Sequence, residues 1–219
     1  GYNAEQIGLV LAWTGLPQLI LIPFVPKLMK LFDIRYLAIF GIALFALSCF
    51  MNTQMSFEYA GDQFFLPNIV RAVGQALILT PLTAIATVEI APKDAANASG
   101  LFNMFRNLAG AIGTAALETI ITKREQFHSN IIGQSVTLAR QEVQQRLHEM
   151  TGYFMSHGIS DAALAQHKAI VALGNAVKRQ ALVMGFSDTF GVIGVVLALA
   201  AVSLIFARKA KAGASAAAH

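Results

Sequence analysis

A series of polar residues at helical spacing lies inside one of the apolar stretches of this chain. Asn103, Asn107, Gly110, Thr114 and Glu118 recur three or four residues apart, so on a helix they share a face, with Arg106 and Gly113 beside them. Polar groups in hydrocarbon are costly, so this face must look into a helix bundle or a wet cavity. The glycines allow another helix to approach closely. Two roles fit: a tight helix–helix seam with asparagine as glue, or the lining of a transport path. Arg106 can snorkel to the nearer interface or pair with Glu89. Arg71, with Gln75 one turn later, is a second cation inside an apolar stretch, and such residues are functional candidates by default. Glu118 and Asp188 fall near the ends of apolar stretches. They read either as interfacial carboxylates or as groups that take up protons and attract cations.

Other chemistries find no residues to carry them. The chain has no Gly-x-Ser-x-Gly elbow, no His-Glu-x-x-His pair and no Gly-x-x-x-x-Gly-Lys-Ser/Thr phosphate loop, so neither an enzyme nor a cofactor is expected. His128, His148, His157 and His167 cluster in one region but none are four apart. They are expected to be solvated, with no metal site. Cys49 is the single cysteine and cannot form an internal disulfide.

The elements that must position these residues are long apolar helices. Spanning a bilayer takes about 20 mostly apolar residues, and five stretches qualify: 7–26, 36–55, 64–90, 99–121 and 182–207. Pro17, Pro23, Pro67 and Pro81 sit within or at the ends of these spans, where kinks are expected. Between the last two spans lies a long connection, 122–181. In it Val136, Ala139, Val143 and Leu147 mark an amphipathic helix, and Ser160 with Asp161 reads as the cap of another that runs from Ala162 into the last span. The tail 208–219 is rich in small residues and expected to be disordered.

Composition agrees. The chain has 219 residues, of which 56% are hydrophobic and only 13% charged, against about 25% charged in soluble domains. Its mean hydropathy is +0.59. A soluble fold of this size could not hide so much apolar surface. The net charge of +4 and the pI near 9.4 do not imply nucleic acid, because the basic residues sit at the ends of apolar runs. Lys27, Lys30, Arg35, Lys93, Arg208, Lys209 and Lys211 all fall on one side of the membrane, whereas the turn 56–63 on the other carries only Glu58 and Asp62. The connection 122–181 is also basic, but long segments cross largely regardless of charge. The N-terminus is therefore expected outside and the C-terminus in the cytoplasm. The chain begins Gly1-Tyr2-Asn3 and is read as part of a longer protein.

Two stretches carry a family resemblance. Residues 26–35, with Asp33 and Arg35, resemble the degenerate second copy of the cytoplasmic loop motif of major facilitator transporters; the usual glycine near its start is replaced by Pro26 or Val25. The pattern Asn-x-x-Arg-Asn-x-x-Gly-x-x-Gly-Thr at Asn103, Arg106, Asn107, Gly110, Gly113 and Thr114, following Pro81-Leu82-Thr83, is similar to that of the EmrB/QacA group of fourteen-span drug/proton antiporters. The resemblance implies an all-α membrane protein of the major facilitator fold, here its C-terminal bundle of five transmembrane helices with an extended outer helical loop, the periplasmic connection 122–181. It implies proton-coupled export of amphipathic compounds across the bacterial inner membrane. The partners it implies are the N-terminal half of the same transporter, a periplasmic adaptor and an outer-membrane channel. The main proton-coupling acids of the family lie in that other half. It also implies a network around Asp33 and Arg35 that biases the inward-closed state, and a structural, gating or substrate-path role for the Asn103–Thr114 pattern. A transporter dedicated to one metabolite or siderophore, and a membrane scaffold, remain alternatives.

Overall fold

The structure, a computed structural model, describes residues 3–56, 59, 61–87, 90, 95–137 and 139–206. Among the described residues it is mostly helical, with no strand. Helix α1 (Ala4–Leu21) opens on a reciprocal cap: the Asn3 side chain accepts from the Gln6 amide at 2.8 Å, and the Gln6 side chain accepts from the Asn3 amide at 3.0 Å. Pro17 lies inside α1. At Pro23 the helix tightens into a 3-10 turn, Ile22–Phe24, and continues as α2 (Val25–Leu31). The first apolar rod therefore extends past the expected end at residue 26, because proline is tolerated in a first turn and Val25-Pro26 begins a new one.

Asp33 caps α3 (Ile34–Met51), and α4 runs from Phe65 to Thr87 with Pro81 inside it. Helix α5 (Ala95–Ser135) continues 14 residues beyond the expected span, roughly 21 Å at helical rise. Helix α6 (Gln141–Ser156) follows a short break. The amphipathic helix thus begins at Gln141, not Val136: Val136 hydrogen-bonds back to Ile132 and Gly133 and closes α5 instead. Helix α7 (Ala162–Ile205) is one unbroken rod, as its cap foretells; the Asp161 side chain accepts from the Ala163 amide at 2.9 Å. Among the described residues, four helical rods are long and apolar enough to cross a membrane: Ala4–Leu31, Ile34–Gln54, Gly61–Ala84 and Ala162–Ile205. The expected span 99–121 lies within α5, whose polar residues dilute its apolar character.

The chain divides into two compact units. The first comprises residues 1–54, 58–115 and 190–219. Its centre is α4, which packs on both α1 and α3. The α3–α4 crossing rests on two facing glycines. A side-chain carbon at Gly74 would stand 2.7 Å from the Gly41 carbonyl oxygen and 2.8 Å from the Phe45 amide; one at Gly41 would stand 2.9 Å from the Gly74 carbonyl. Small residues drive such contacts where water cannot, because close approach is what earns dispersion between helices in lipid. Around the crossing lie buried Leu37, Leu77 and Val25. Ser48 Oγ donates to the Pro67 carbonyl at 2.9 Å, and Asn68 Nδ2 to the Val10 carbonyl at 3.1 Å, so polar groups tie α4 to both neighbours.

The second unit comprises residues 55–57 and 116–189, which include the C-terminal half of α5, all of α6 and the first part of α7. Gly185 of α7 lies against the α5 backbone; a side-chain carbon there would stand 3.2 Å from the Glu125 amide and 3.3 Å from the Ile121 carbonyl. Ala165, Ala169 and Ala181 of α7 and Leu147 of α6 are buried.

Candidate functional site

The residues singled out by sequence fall into separate places. In the first unit, Arg71 is held in the α1–α3–α4 bundle. One guanidinium nitrogen donates to Thr14 Oγ1 of α1 at 2.9 Å. Arg71 Nε and, on the turn after α3, Asn52 Oδ1 are buried with no hydrogen-bond partner among the described residues. Arg71 as a whole is partly buried, and a donor withdrawn from water without a partner costs free energy. Gln75 sits one turn along α4 and is partly buried.

Beside one end of this bundle, a cleft of about 460 Å³ opens between α1 and the turn that precedes α4. Trp13 and Phe65 meet edge to face across it, with ring centroids 4.7 Å apart, and Gln6 and Asp62 supply its polar groups. Neither the tryptophan nor the acid stood out in the sequence, because both become neighbours only when α1 and α4 pack.

The loop motif is assembled at the other end. Asp33 Oδ1 accepts from the Arg35 amide at 3.1 Å and starts α3, while Arg35 Nε donates to the Leu204 carbonyl at 2.7 Å. Leu204 lies in the last turn of α7, where carbonyls lack helical partners and the helix end carries partial negative charge. The arginine therefore joins the start of α3 to the end of α7.

The polar face of α5 is placed differently. Asn103, Arg106, Asn107, Gly110, Gly113, Thr114 and Glu118 are all exposed, and no described atom lies within 4 Å of a side-chain carbon built at Gly110 or Gly113. Thr114 Oγ1 turns back to the Gly110 carbonyl at 2.9 Å. The pairing expected between Arg106 and Glu89 falls outside the described residues at Glu89.

In the second unit, Asp188 is not a bare interfacial carboxylate. Its Oδ2 accepts from Arg124 Nε and Nη2, each at 2.7 Å, and lies 2.6 Å from His128 Nε2. The guanidinium also stacks over Phe127, 5.0 Å from the ring centre. His128 was expected to be solvated; its side chain is only 12% exposed, because one more turn of α5 carries it onto α7. The signal available was the spacing of Arg124 and His128, four residues apart on the face that meets Asp188.

Comparisons with known proteins agree with these elements. The sequence profile described as Major Facilitator Superfamily matches residues 1–129. The chain is similar to the colistin resistance protein EmrB of Acinetobacter baumannii, 27% identical over 209 residues, covering 95% of this chain and 40% of the relative. It is also similar to the multidrug export protein EmrB of Escherichia coli K12, 30% identical over 168 residues, 76% of this chain and 33% of the relative. The fatty acid resistance protein FarB of Neisseria gonorrhoeae is 23% identical over 209 residues, 95% of this chain and 39% of the relative. The chain thus spans about two fifths or less of the length of these relatives. No solved structure matches it. With most of its described residues in long apolar helices and more than half its length matched by the profile, the chain is part of a multi-pass membrane protein and belongs to the Major Facilitator Superfamily.

Proposed function

We propose that the protein exports amphipathic toxic compounds across the bacterial inner membrane, driven by proton entry. The observation that carries this reading is the set of relatives: proteins matching up to 95% of the chain are named for compounds as unlike as colistin and fatty acids, and for multidrug export. Unlike cargoes need a site that selects by amphipathic character rather than by shape. The first unit offers suitable groups: an incompletely satisfied guanidinium at Arg71, and an aromatic cleft with one carboxylate at Trp13, Phe65 and Asp62. The charge pattern of the short turns supports a cytoplasmic C-terminus, with the helical extensions of α5 and α7 and all of α6 outside. Those extensions, with exposed Phe127, Ile131, Tyr153 and Met155, offer a surface for a periplasmic adaptor that leads to an outer-membrane channel.

Transport by the full-length protein in sealed proteoliposomes tests the reading. Ethidium should move when a pH gradient is imposed, and an uncoupler should abolish the movement. Failure to move any of a varied panel of lipophilic cations and fatty acids, with the gradient verified, would overturn it.

A further inference from the structure

The contact of His128 with Asp188 has a chemical requirement. At 2.6 Å from a carboxylate oxygen, Nε2 must carry a hydrogen; a bare nitrogen lone pair there would face another lone pair. Nδ1 remains the nitrogen that gains or loses a proton. The same oxygen already receives two guanidinium donors from Arg124, so the imidazole is the third donor on one atom. The bond to the ionised carboxylate is already assisted by the acceptor's charge; protonating the ring charges the donor as well and adds an ion pair to it. Imidazole is the side chain that ordinarily changes charge between pH 5 and 8.

The surroundings suit proton exchange with water. The His128 side chain is 12% exposed, against 33% for Asp188 and 43% for Arg124, so the ring is covered while its partners reach solvent. Phe127 packs edge to face on the ring, with centroids 5.4 Å apart. The two helices are already in close contact at Gly185, next to the cluster. Besides Arg124 and Asp188, α5 carries Lys123 and Glu125 beside the cluster and Glu118 and Arg106 further back, and α7 carries Lys178 and Arg179 about three turns before Asp188 and His167 and Lys168 further back. Helix α6 carries Glu142, Arg146, His148 and Glu149, of which Arg146 and Glu149 pair with each other at 3.2 Å.

We propose that His128, Asp188 and Arg124 form a proton-binding site joining α5 to α7, and that proton uptake by His128 tightens the hold of the two helices on each other. The site goes beyond the transport reading and does not depend on it. Arg124 anchors Asp188 as long as its carboxylate is ionised, and the imidazole adds a second hold that follows the proton. Acid on the side where α6 lies closes this junction, and alkali loosens it.

The test uses the full-length protein in nanodiscs, so that its outcome is separate from any transport result. With nitrogen-15 histidine, the resonance lost in His128→Gln identifies His128, and its imidazole nitrogens should change protonation state between pH 5 and 8.5. Spin labels at the exposed positions Gln126 and Lys178 should show a narrower distance distribution at pH 5 than at pH 8.5. His128→Gln, which can still donate to Asp188 but cannot take up a proton, should give one distribution at both pH values. Should that variant not fold, Asp188→Asn serves, since it removes the charge that the imidazolium holds and should equally abolish the change. A His128 ring in one protonation state throughout, or a pH-dependent distance that survives these substitutions, would overturn the proposal.

Discussion

At the scale of single residues, the informative comparison is between charges held by several partners and Arg71, whose Nε finds none among the described residues. Asp188 has Arg124 and His128; Arg35 has the Leu204 carbonyl; Arg71 has only Thr14, and its Nε is orphaned among the described residues. A guanidinium in this position lowers stability rather than adding to it, and apolar residues of similar volume often replace buried charges without loss. Arg71→Met should therefore leave the thermal midpoint of the full-length protein unchanged or raised while cutting transport at least tenfold. Unchanged transport would make Arg71 a structural residue. Sequence showed that Arg71 lay inside an apolar stretch, which is why it was a candidate. It could not show Thr14, 57 positions away, nor the empty donor, since these depend on how α1 and α4 cross. His128 was hidden for the same reason: its partner is 60 residues distant, and on composition alone a histidine in a polar connection reads as solvated.

At the scale of elements, apolar runs of bilayer length and an Asp before a helical pattern were enough to place most of the helices, including α7 with its cap at Asp161. Their ends were less legible. The helical rod that begins with α1 continues through Pro23, and α5 overruns its apolar stretch, because helix continuation into water depends on propensity and packing rather than hydropathy. Packing was the least legible of all. Gly41 and Gly74 are ordinary glycines in sequence, yet each occupies the space a side chain at the other would need. Gly74→Ala should force α3 and α4 apart, at a cost of about 1–3 kcal/mol, the usual range for overpacking. Thermal unfolding of the full-length protein in detergent reads this directly. Gly8, with no described atom within 4 Å of an added carbon, supplies the comparison through Gly8→Ala, which should be close to neutral. Equal losses for both would show that the α3–α4 crossing has slack to absorb a methyl group.

At the scale of the whole molecule, the face of α5 that carries the family pattern is the part this chain leaves open. Asn103, Asn107, Gly110 and Thr114 repeat with helical period, and such a stripe of amide and small residues is expensive against lipid. All four are exposed, however, and the chain spans about two fifths or less of its relatives' length. On the transport reading proposed above, the remainder of a longer transporter would cover that face, and the glycines would limit how bulky the contact can be. Gly110→Leu should then lower the thermal midpoint of the full-length protein by the equivalent of about 1–3 kcal/mol, as overpacking does in a filled interface. Gly133→Leu, near the C-terminal end of α5 with no described atom within 4 Å of an added carbon, is the matched control for the same change in helix propensity and bulk. A loss confined to Gly110 makes the stripe a seam between parts of the transporter. Equal midpoints combined with lost transport in Gly110→Leu would instead make it the wall of a wet path, since a cavity absorbs a leucine that a seam cannot.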